Sequence, residues 1–348
     1  MDVVADLHEL SRHVAPASVD AAYSVVVWEH LLMPWKAVLE LNRVLRPGGI
    51  AWIVTHKDYP IHDAPWDFYR FGRDSWPSLF NPSTGFRILS TAQHSPLRVV
   101  PLAVTIPTFE SFGANQALVQ KTAEVDPAAC RWDVALSSLL PARHTYARKT
   151  SLGEHIVNKA RRVLLRLGRG AARVSPDDPW AIGRRRGRWL FVRGPRARPL
   201  RGGAVEVSMS REGDASYRQE LDGLPRRAFD GVALLDVLHN DPQPWTLAGP
   251  LHALLRPNGL LYVDAAQTAL PRAGADFWGL SAEAFLGLFH EAVGFRWRRR
   301  AMLDPCAMTG PEMEEGRDAR GWLRSIGLAR RVTPTAGAER FRWPSPSR

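Results

Sequence analysis

Three histidines, His30, His56 and His62, stand where an α/β protein places reactive groups. His30 follows one apolar, strand-like run, His56 follows a second, and His62 lies in the loop beyond it. An imidazole gains or loses a proton near neutral pH, so each is a candidate catalytic acid or base. His30 is the first candidate, because open α/β sheets bind ligands at the carboxyl ends of their strands. His62 has a carboxylate beside it in Asp63, although adjacent side chains seldom turn toward each other.

Each of these residues also has a plain structural interpretation. His30 would cap or pack at the start of a helix, and Trp66 and Tyr69 are more typical of the walls of a pocket than of reacting groups. The sequence contains no zinc-type ligand spacing, paired carboxylates, phosphate-binding loop or serine triad. It therefore predicts no metal site.

The residues around His30 predict a βαβ unit. The apolar run Ala21–Val27 is followed by apolar residues at helical spacing, a stop at Arg46–Gly49, and a second apolar run, Ile50–Val54. Strand, amphipathic helix, Pro-Gly stop and strand in this order are typical of a parallel sheet with crossover helices.

The order of residues in this unit resembles the class I methyltransferases that depend on S-adenosylmethionine (SAM) and act on small molecules. Asp20 opens the first strand, Glu29-His30 close it, and E-L-N-R-V-L-R-P-G-G leads into the second. The resemblance implies a Rossmann-like α/β sheet of which these are strands four and five. Residues 62–71 are similar to a substrate-side loop, and residues 84–88 to the closing antiparallel hairpin. The implied reaction is methyl transfer to a small molecule or glycan precursor.

The same resemblance implies which residues contact the cofactor. Residues 2–10 are similar to the family's third strand, so Asp6 is expected to bind the adenine amino group and Leu7 to pack on the ring. Ser24 and Val25 are expected to line the end of the fourth strand. His30, His56 and His62 would then face the acceptor.

The family's glycine-rich turn after its first strand has no counterpart in the sequence. Glycine is required there because a Cβ would block the methionine part of SAM. Gly168 and Gly170 follow a helical stretch, and Gly202-Gly203 precede a strand. We therefore interpret the domain as N-terminally incomplete, starting at Met1 just before the third strand. Two functions stay open: an enzyme, or a non-catalytic protein of methyltransferase ancestry that binds a partner protein.

Composition and charge limit the remaining possibilities. The net charge of +11 is concentrated between Arg143 and Arg201, which predicts an Arg-rich linker over residues 141–204 with a short amphipathic helix at Ile156–Leu167. Such a helix would dock on its own domain, or contact an anionic membrane surface or a partner; nucleic acid is less favoured. No apolar run is long enough for a membrane span. Two distant cysteines suit a reducing cytoplasm.

Residues 205–348 resemble a second, diverged copy of the first 140 residues. Matched residues recur in order at a separation of 210 and later 209 positions. In this copy Glu29-His30 become His239-Asn240, and Arg70 becomes Gly279. Loss of polar residues with retention of apolar ones indicates a structural, pseudoenzyme-like copy. We expect the halves to pack together, because each has an unfinished sheet. The matched pairs are Asp20 and Asp230, Trp35 and Trp245, Pro47 and Pro257, Phe68 and Phe277, and Phe86 and Phe295.

Overall fold

A computed structural model describes residues 3–63, 65–102, 107–125, 187–197, 205–268, 275–311 and 320–334. The predicted linker helix lies outside these ranges, as does Cys130. The strands are β1 (Val19–Val25), β2 (Leu45–His56), β3 (Tyr69–Phe71), β4 (Phe86–Pro101), β5 (Phe109–Lys121), β6 (Trp189–Arg193), β7 (Val205–Ser208), β8 (Phe229–Leu235), β9 (Leu255–Ala266), β10 (Trp278–Leu280), β11 (Phe295–Thr309) and β12 (Arg320–Arg331). The α-helices are α1 (Pro34–Val44), α2 (Ser75–Leu79), α3 (Tyr217–Asp222), α4 (Ala248–Leu254) and α5 (Phe285–Leu288).

The βαβ unit predicted around His30 is confirmed. β1 and β2 pair in parallel, with Val25 opposite Val54, and α1 forms the crossover between them. Val38 and Val44 on the apolar face of α1 are buried against the sheet. Parallel strands need such a crossover, and a helix with one apolar stripe supplies it while covering one face of the sheet.

The described strands form one ten-stranded sheet and a small two-stranded one. The order in the large sheet is β1-β2-β5-β4-β11-β12-β9-β8-β6-β7. In the first half the parallel pair β1-β2 is followed by the antiparallel hairpin β5-β4; in the second half β8-β9 is followed by β12-β11. The halves join where residues 98–101 of β4 pair with residues 306–309 of β11. The predicted α/β class is confirmed, since helices and strands alternate along the chain and the large sheet is mixed.

Two segments differ from the sequence expectation. The predicted third strand is absent: residues 3–6 are irregular and Leu7–Arg12 is a 3₁₀ helix. A strand needs a hydrogen-bonded neighbour, and within the described ranges no strand lies beside the outer edge of β1. The second difference is β6, which lies inside the segment predicted as linker and pairs with β8. Its apolar sequence, W-L-F-V, is buried in the second half of the sheet.

The two halves pack together as expected and share one hydrophobic core. Trp35 stacks on Trp245 with ring centroids 5.1 Å apart, and β3 pairs with β10 so that Arg70 lies opposite Gly279. These are the residue pairs that the sequence offset relates. Each residue therefore meets its own counterpart, as happens at a two-fold interface between identical subunits.

Gly279 has no room for a side chain at this interface. An ideal Cβ would overlap the carbonyl oxygen of Gln267 and lie 2.7 Å from the Cβ of Arg70. We expect Gly279→Ala to lower the free energy of unfolding by about 1–3 kcal/mol, measured by urea denaturation. The matched control is Gly249→Ala in α4, where nothing lies within 4 Å; it should stabilise by up to about 1 kcal/mol. Equal effects of the two substitutions would contradict the close approach.

Candidate functional site

The three candidate histidines meet at the carboxyl ends of β1 and β2. His30 ends a 3₁₀ helix that follows β1, His56 is the last residue of β2, and His62 lies in the loop before β3. The rings of His30 and His62 are 4.7 Å apart, and those of His56 and His62 are 5.0 Å apart. Parallel pairing of β1 and β2 causes this convergence, since residues that follow the two strands emerge at one edge of the sheet.

Glu29 lies at the centre of the cluster, and its side chain is fully buried. Its Oε2 accepts a hydrogen bond of 2.6 Å from the hydroxyl of Thr55. Its Oε1 faces the three rings, at 3.3 Å from Nε2 of His56, 3.8 Å from Nε2 of His30 and 3.9 Å from Nε2 of His62. Glu29 is not among the candidate site residues named from the sequence. The available signal was its place at the strand end, directly before His30.

His62 is oriented by a buried ion pair that the sequence analysis missed. Its Nδ1 lies 3.1 Å from Oδ2 of Asp67, and its backbone N–H donates to the same oxygen. Arg70 donates to both carboxylate oxygens and to the carbonyls of Tyr59 and Pro60. The carboxylate that holds His62 is thus Asp67, not Asp63. The available signal was the sequence D-F-Y-R, in which the acid Asp67 and the base Arg70 are three residues apart.

Burial and charge give two of the histidines different proton affinities. Burial, together with the positive charge of nearby Arg70, lowers the pKa of His56 to about 3, so this ring is neutral at physiological pH. Burial also lowers the pKa of His62, but the hydrogen bond and charge of Asp67 outweigh it and raise that pKa above 6.5. For Asp67, burial favours the neutral acid, yet Arg70 lowers the pKa well below its usual value. The cluster thus holds a neutral ring beside one that binds a proton readily.

The four predicted cofactor residues lie on two elements near the same edge. Asp6 caps the 3₁₀ helix Leu7–Arg12, and its Oδ1 accepts from the backbone N–H of His8 at 2.9 Å and lies 2.7 Å from its Nδ1. Leu7 packs against the core. Ser24 and Val25 belong to β1, where Ser24 is half-buried and Val25 is exposed. Asp6 therefore already has a polar partner, and its contact with adenine stays a prediction.

The second half has no equivalent cluster in its described residues. His239 occupies the position that matches Glu29, and both its ring nitrogens are used within the fold. Its Nε2 lies 2.8 Å from Oδ1 of Asp236, and its Nδ1 accepts from the backbone N–H of Ala266. A cavity of about 1020 Å³ does lie in this half, lined by Arg218, Arg331 and others. None of the predicted site residues lines it, and its arginines would repel a cationic sulfonium.

Residues 2–53 match the family model described as a methyltransferase domain. The matched segment lies within the first half of the chain. It contains β1, α1, Glu29 and His30, and it ends inside β2. The search of curated proteins gives no match. No helix in the described ranges is both long and apolar enough to cross a membrane.

Solved methyltransferases show only a partial likeness to the chain. One is the 1,6-didemethyltoxoflavin-N1-methyltransferase of Burkholderia thailandensis, with 15% identity over 54% of this chain and 93% of that one and a TM-score of 0.29. A SAM-dependent methyltransferase of Mesorhizobium loti has 15% identity over 42% of this chain and 91% of its own length, with a TM-score of 0.25. A chain from the Haloferax volcanii complex of a methyltransferase with the Trm112 activator has 17% identity over 36% of this chain and 62% of its own length, with a TM-score of 0.27. The chain thus spans less than two thirds of that last protein, and the match to the family model covers residues 2–53.

Proposed function

We propose that this chain is a SAM-dependent methyltransferase whose first half binds a small-molecule or glycan-precursor acceptor at the His30, His56 and His62 cluster. The observation that carries the proposal is the position of this cluster. It is held around buried Glu29 at the carboxyl ends of two parallel strands, and residues 2–53 match a methyltransferase domain. Ligands of open α/β sheets bind at this edge.

Methyl transfer from a sulfonium requires alignment, and a proton acceptor when the methyl group goes to a hydroxyl. SAM, when bound, supplies an already electrophilic methyl group. We assign proton uptake to Nε2 of His62, because Asp67 orients this ring and stabilises its charged form. His30 and the neutral ring of His56 would orient the acceptor.

The described residues suit the acceptor side of this reaction better than the methionine side. β1 runs into Val26-Val27-Trp28 with no glycine, and Val26 has a left-handed φ of 55°. In the second half β6 is followed by Gly194, but the space a Cβ would take is filled by the backbone of Asp236. Neither turn offers an open cradle for the methionine part of SAM.

We assign the second half a structural role in the same protein. Its described residues hold no equivalent histidine cluster, yet it buries Trp35, and its β10 pairs with β3, the strand that follows the loop carrying His62. The proposed division is a first domain over residues 1–140, an Arg-rich linker over 141–204 and a second copy over 205–348. Strand β6 lies in the linker range but belongs to the sheet of the second copy.

Calorimetry with SAM tests the proposed function on the full chain. We expect binding at micromolar affinity, and we expect Asp6→Asn to weaken it by about tenfold, because a charged hydrogen-bond acceptor is lost. Asp20→Asn, at the opposite end of β1 and largely exposed, is the matched control and should leave the affinity unchanged. Absence of heat with SAM and with S-adenosylhomocysteine would refute the enzyme proposal.

A second function, non-catalytic binding of a partner protein, is favoured by the outer edge of β1. Within the described ranges no strand pairs with this edge, and Tyr23, Val25 and Val26 beside it are exposed. Unpaired strand edges are templates for added strands. A partner such as a complete methyltransferase would supply them. This alternative requires that the chain bind no SAM on its own, so the same calorimetry separates the two functions.

A further inference from the structure

All three histidines of the cluster are anchored through Nδ1 to groups that only accept hydrogen bonds. Nδ1 of His30 lies 2.6 Å from the carbonyl oxygen of Trp66. Nδ1 of His56 lies 3.3 Å from the carbonyl oxygen of Gly113. In His62 it lies 3.1 Å from the carboxylate of Asp67. A carbonyl or carboxylate oxygen has no proton to give, so each Nδ1 carries the hydrogen.

The neutral form of each ring therefore turns the lone pair of Nε2 toward Glu29. The facing atom, Oε1, is also electron-rich and is buried without a hydrogen-bond donor, and Nε2 of His62 likewise has no hydrogen-bond partner. Lone pairs of nitrogen and of an anionic oxygen that converge at 3.3–3.9 Å repel one another. A proton on one Nε2, or a metal cation between the atoms, removes this repulsion.

The spacing of these atoms matches the coordination sphere of a small transition ion. Zn²⁺ binds histidine nitrogen and carboxylate oxygen at about 2.0–2.1 Å in a tetrahedron, which separates neighbouring ligand atoms by about 3.4 Å. Oε1 of Glu29 lies 3.3 Å from Nε2 of His56 and 3.9 Å from Nε2 of His62, and the three ligand atoms all lie within 4.8 Å of one another. A shift of about 0.5 Å in the His62 ring would bring its Nε2 to this separation from Oε1 of Glu29.

We propose that Glu29, His56 and His62 bind one divalent first-row transition ion, for which Zn²⁺ is the best match. Two histidines and one glutamate are a ligand set of zinc sites that keep a coordination position open for substrate or water. His30, with Nε2 3.8 Å from Oε1 of Glu29, borders that open position.

The residues behind the ligands are those that metal sites require. Metal-bound histidines donate their second ring N–H to a carboxylate or carbonyl, and the ligating carboxylate is itself hydrogen-bonded. His62 has Asp67 for this purpose, His56 has the carbonyl of Gly113, and Glu29 has the hydroxyl of Thr55. Arg70 compensates the charge of Asp67, which leaves the charge of Glu29 for the ion.

A second grouping, His30 with His62 and Asp63, is also close enough to hold an ion. Asp63 is exposed and lies in a bend with a left-handed φ of 45°, whereas Glu29 is fully buried. Burial of an anion without a donor needs a compensating charge far more than an exposed carboxylate does. We therefore assign the ion to Glu29, His56 and His62.

This inference goes beyond methyl transfer and does not depend on it. An ion at this site would hold an acceptor oxygen and lower its pKa, the part assigned above to His62 when no ion is bound. Binding of the ion alone is measurable without SAM or an acceptor, so failure of either proposal leaves the other standing.

Titration of chelator-treated full-length protein with Zn²⁺ tests the site. We expect one ion per chain with micromolar or tighter affinity, and visible absorption of a four- or five-coordinate ion when Co²⁺ replaces Zn²⁺. Glu29→Gln keeps the shape of the side chain but removes its charge and should weaken binding by about 100-fold. The matched control is His94→Gln, an exposed histidine on β4 whose ring nitrogen contacts Ser95.

If circular dichroism shows that Glu29→Gln does not fold, the Zn²⁺ titration is repeated with His56→Gln, which removes a different ligand. Loss of the ion in a folded variant, with binding retained in His94→Gln, supports the site. The proposal is overturned if the wild-type protein binds no Zn²⁺, or if folded Glu29→Gln and His56→Gln bind it as tightly as the wild type.

Discussion

Replacement of Arg70 by methionine is expected to lower the free energy of unfolding by about 3–5 kcal/mol. The substitution keeps much of the side-chain volume but leaves the carboxylate of Asp67 buried without its cation. It also removes donors from the carbonyls of Tyr59 and Pro60. Burying an unpaired charge is among the most destabilising single changes. Chemical denaturation of the full chain measures the effect.

Two further variants separate charge from packing in this prediction. Arg73→Met removes an exposed guanidinium that pairs with Asp74 and should cost no more than about 1 kcal/mol. Addition of Asp67→Asn to Arg70→Met removes the stranded charge and should restore part of the stability. A double variant that is as unstable as the sum of both single variants would show that the ion pair is not the cause.

Replacement of Trp35 by alanine is expected to cost about 3–5 kcal/mol and to loosen both halves of the sheet together. Trp35 is fully buried, stacks on Trp245 and contacts Tyr69 edge-on. Because the halves share one core, denaturation should remain a single transition. The control is Trp52→Ala on β2, where 42% of the side chain is exposed; its cost should be clearly smaller.

A double-mutant cycle with Trp245→Ala isolates the contact between the halves. The two stacked rings should show a coupling energy of about 0.5–1.5 kcal/mol beyond their area burial. Strictly additive losses, or two separate unfolding transitions in the wild type, would mean that the halves do not fold against each other.

Local patterns predicted much of the first half correctly. The strand, helix and strand around His30 formed where apolar periodicity and the Pro-Gly stop indicated, because these signals act on neighbouring residues. The predicted third strand did not form, although Val3 and Val4 are good strand residues. Strand propensity is realised only when another strand offers hydrogen bonds, and that condition is not local.

The sequence by itself determined the α/β class and the likeness of residues 2–53 to a methyltransferase domain, and it named His30, His56 and His62 as candidates. Only the tertiary structure decided that these three rings surround Glu29, that Asp67 rather than Asp63 holds His62, and that Arg70 lies opposite Gly279. The physical reason is distance along the chain. Periodicity reports which face of an element is buried, whereas convergence of Glu29, His56 and His62 depends on parallel pairing of β1 with β2 and on the path of the loop to β3.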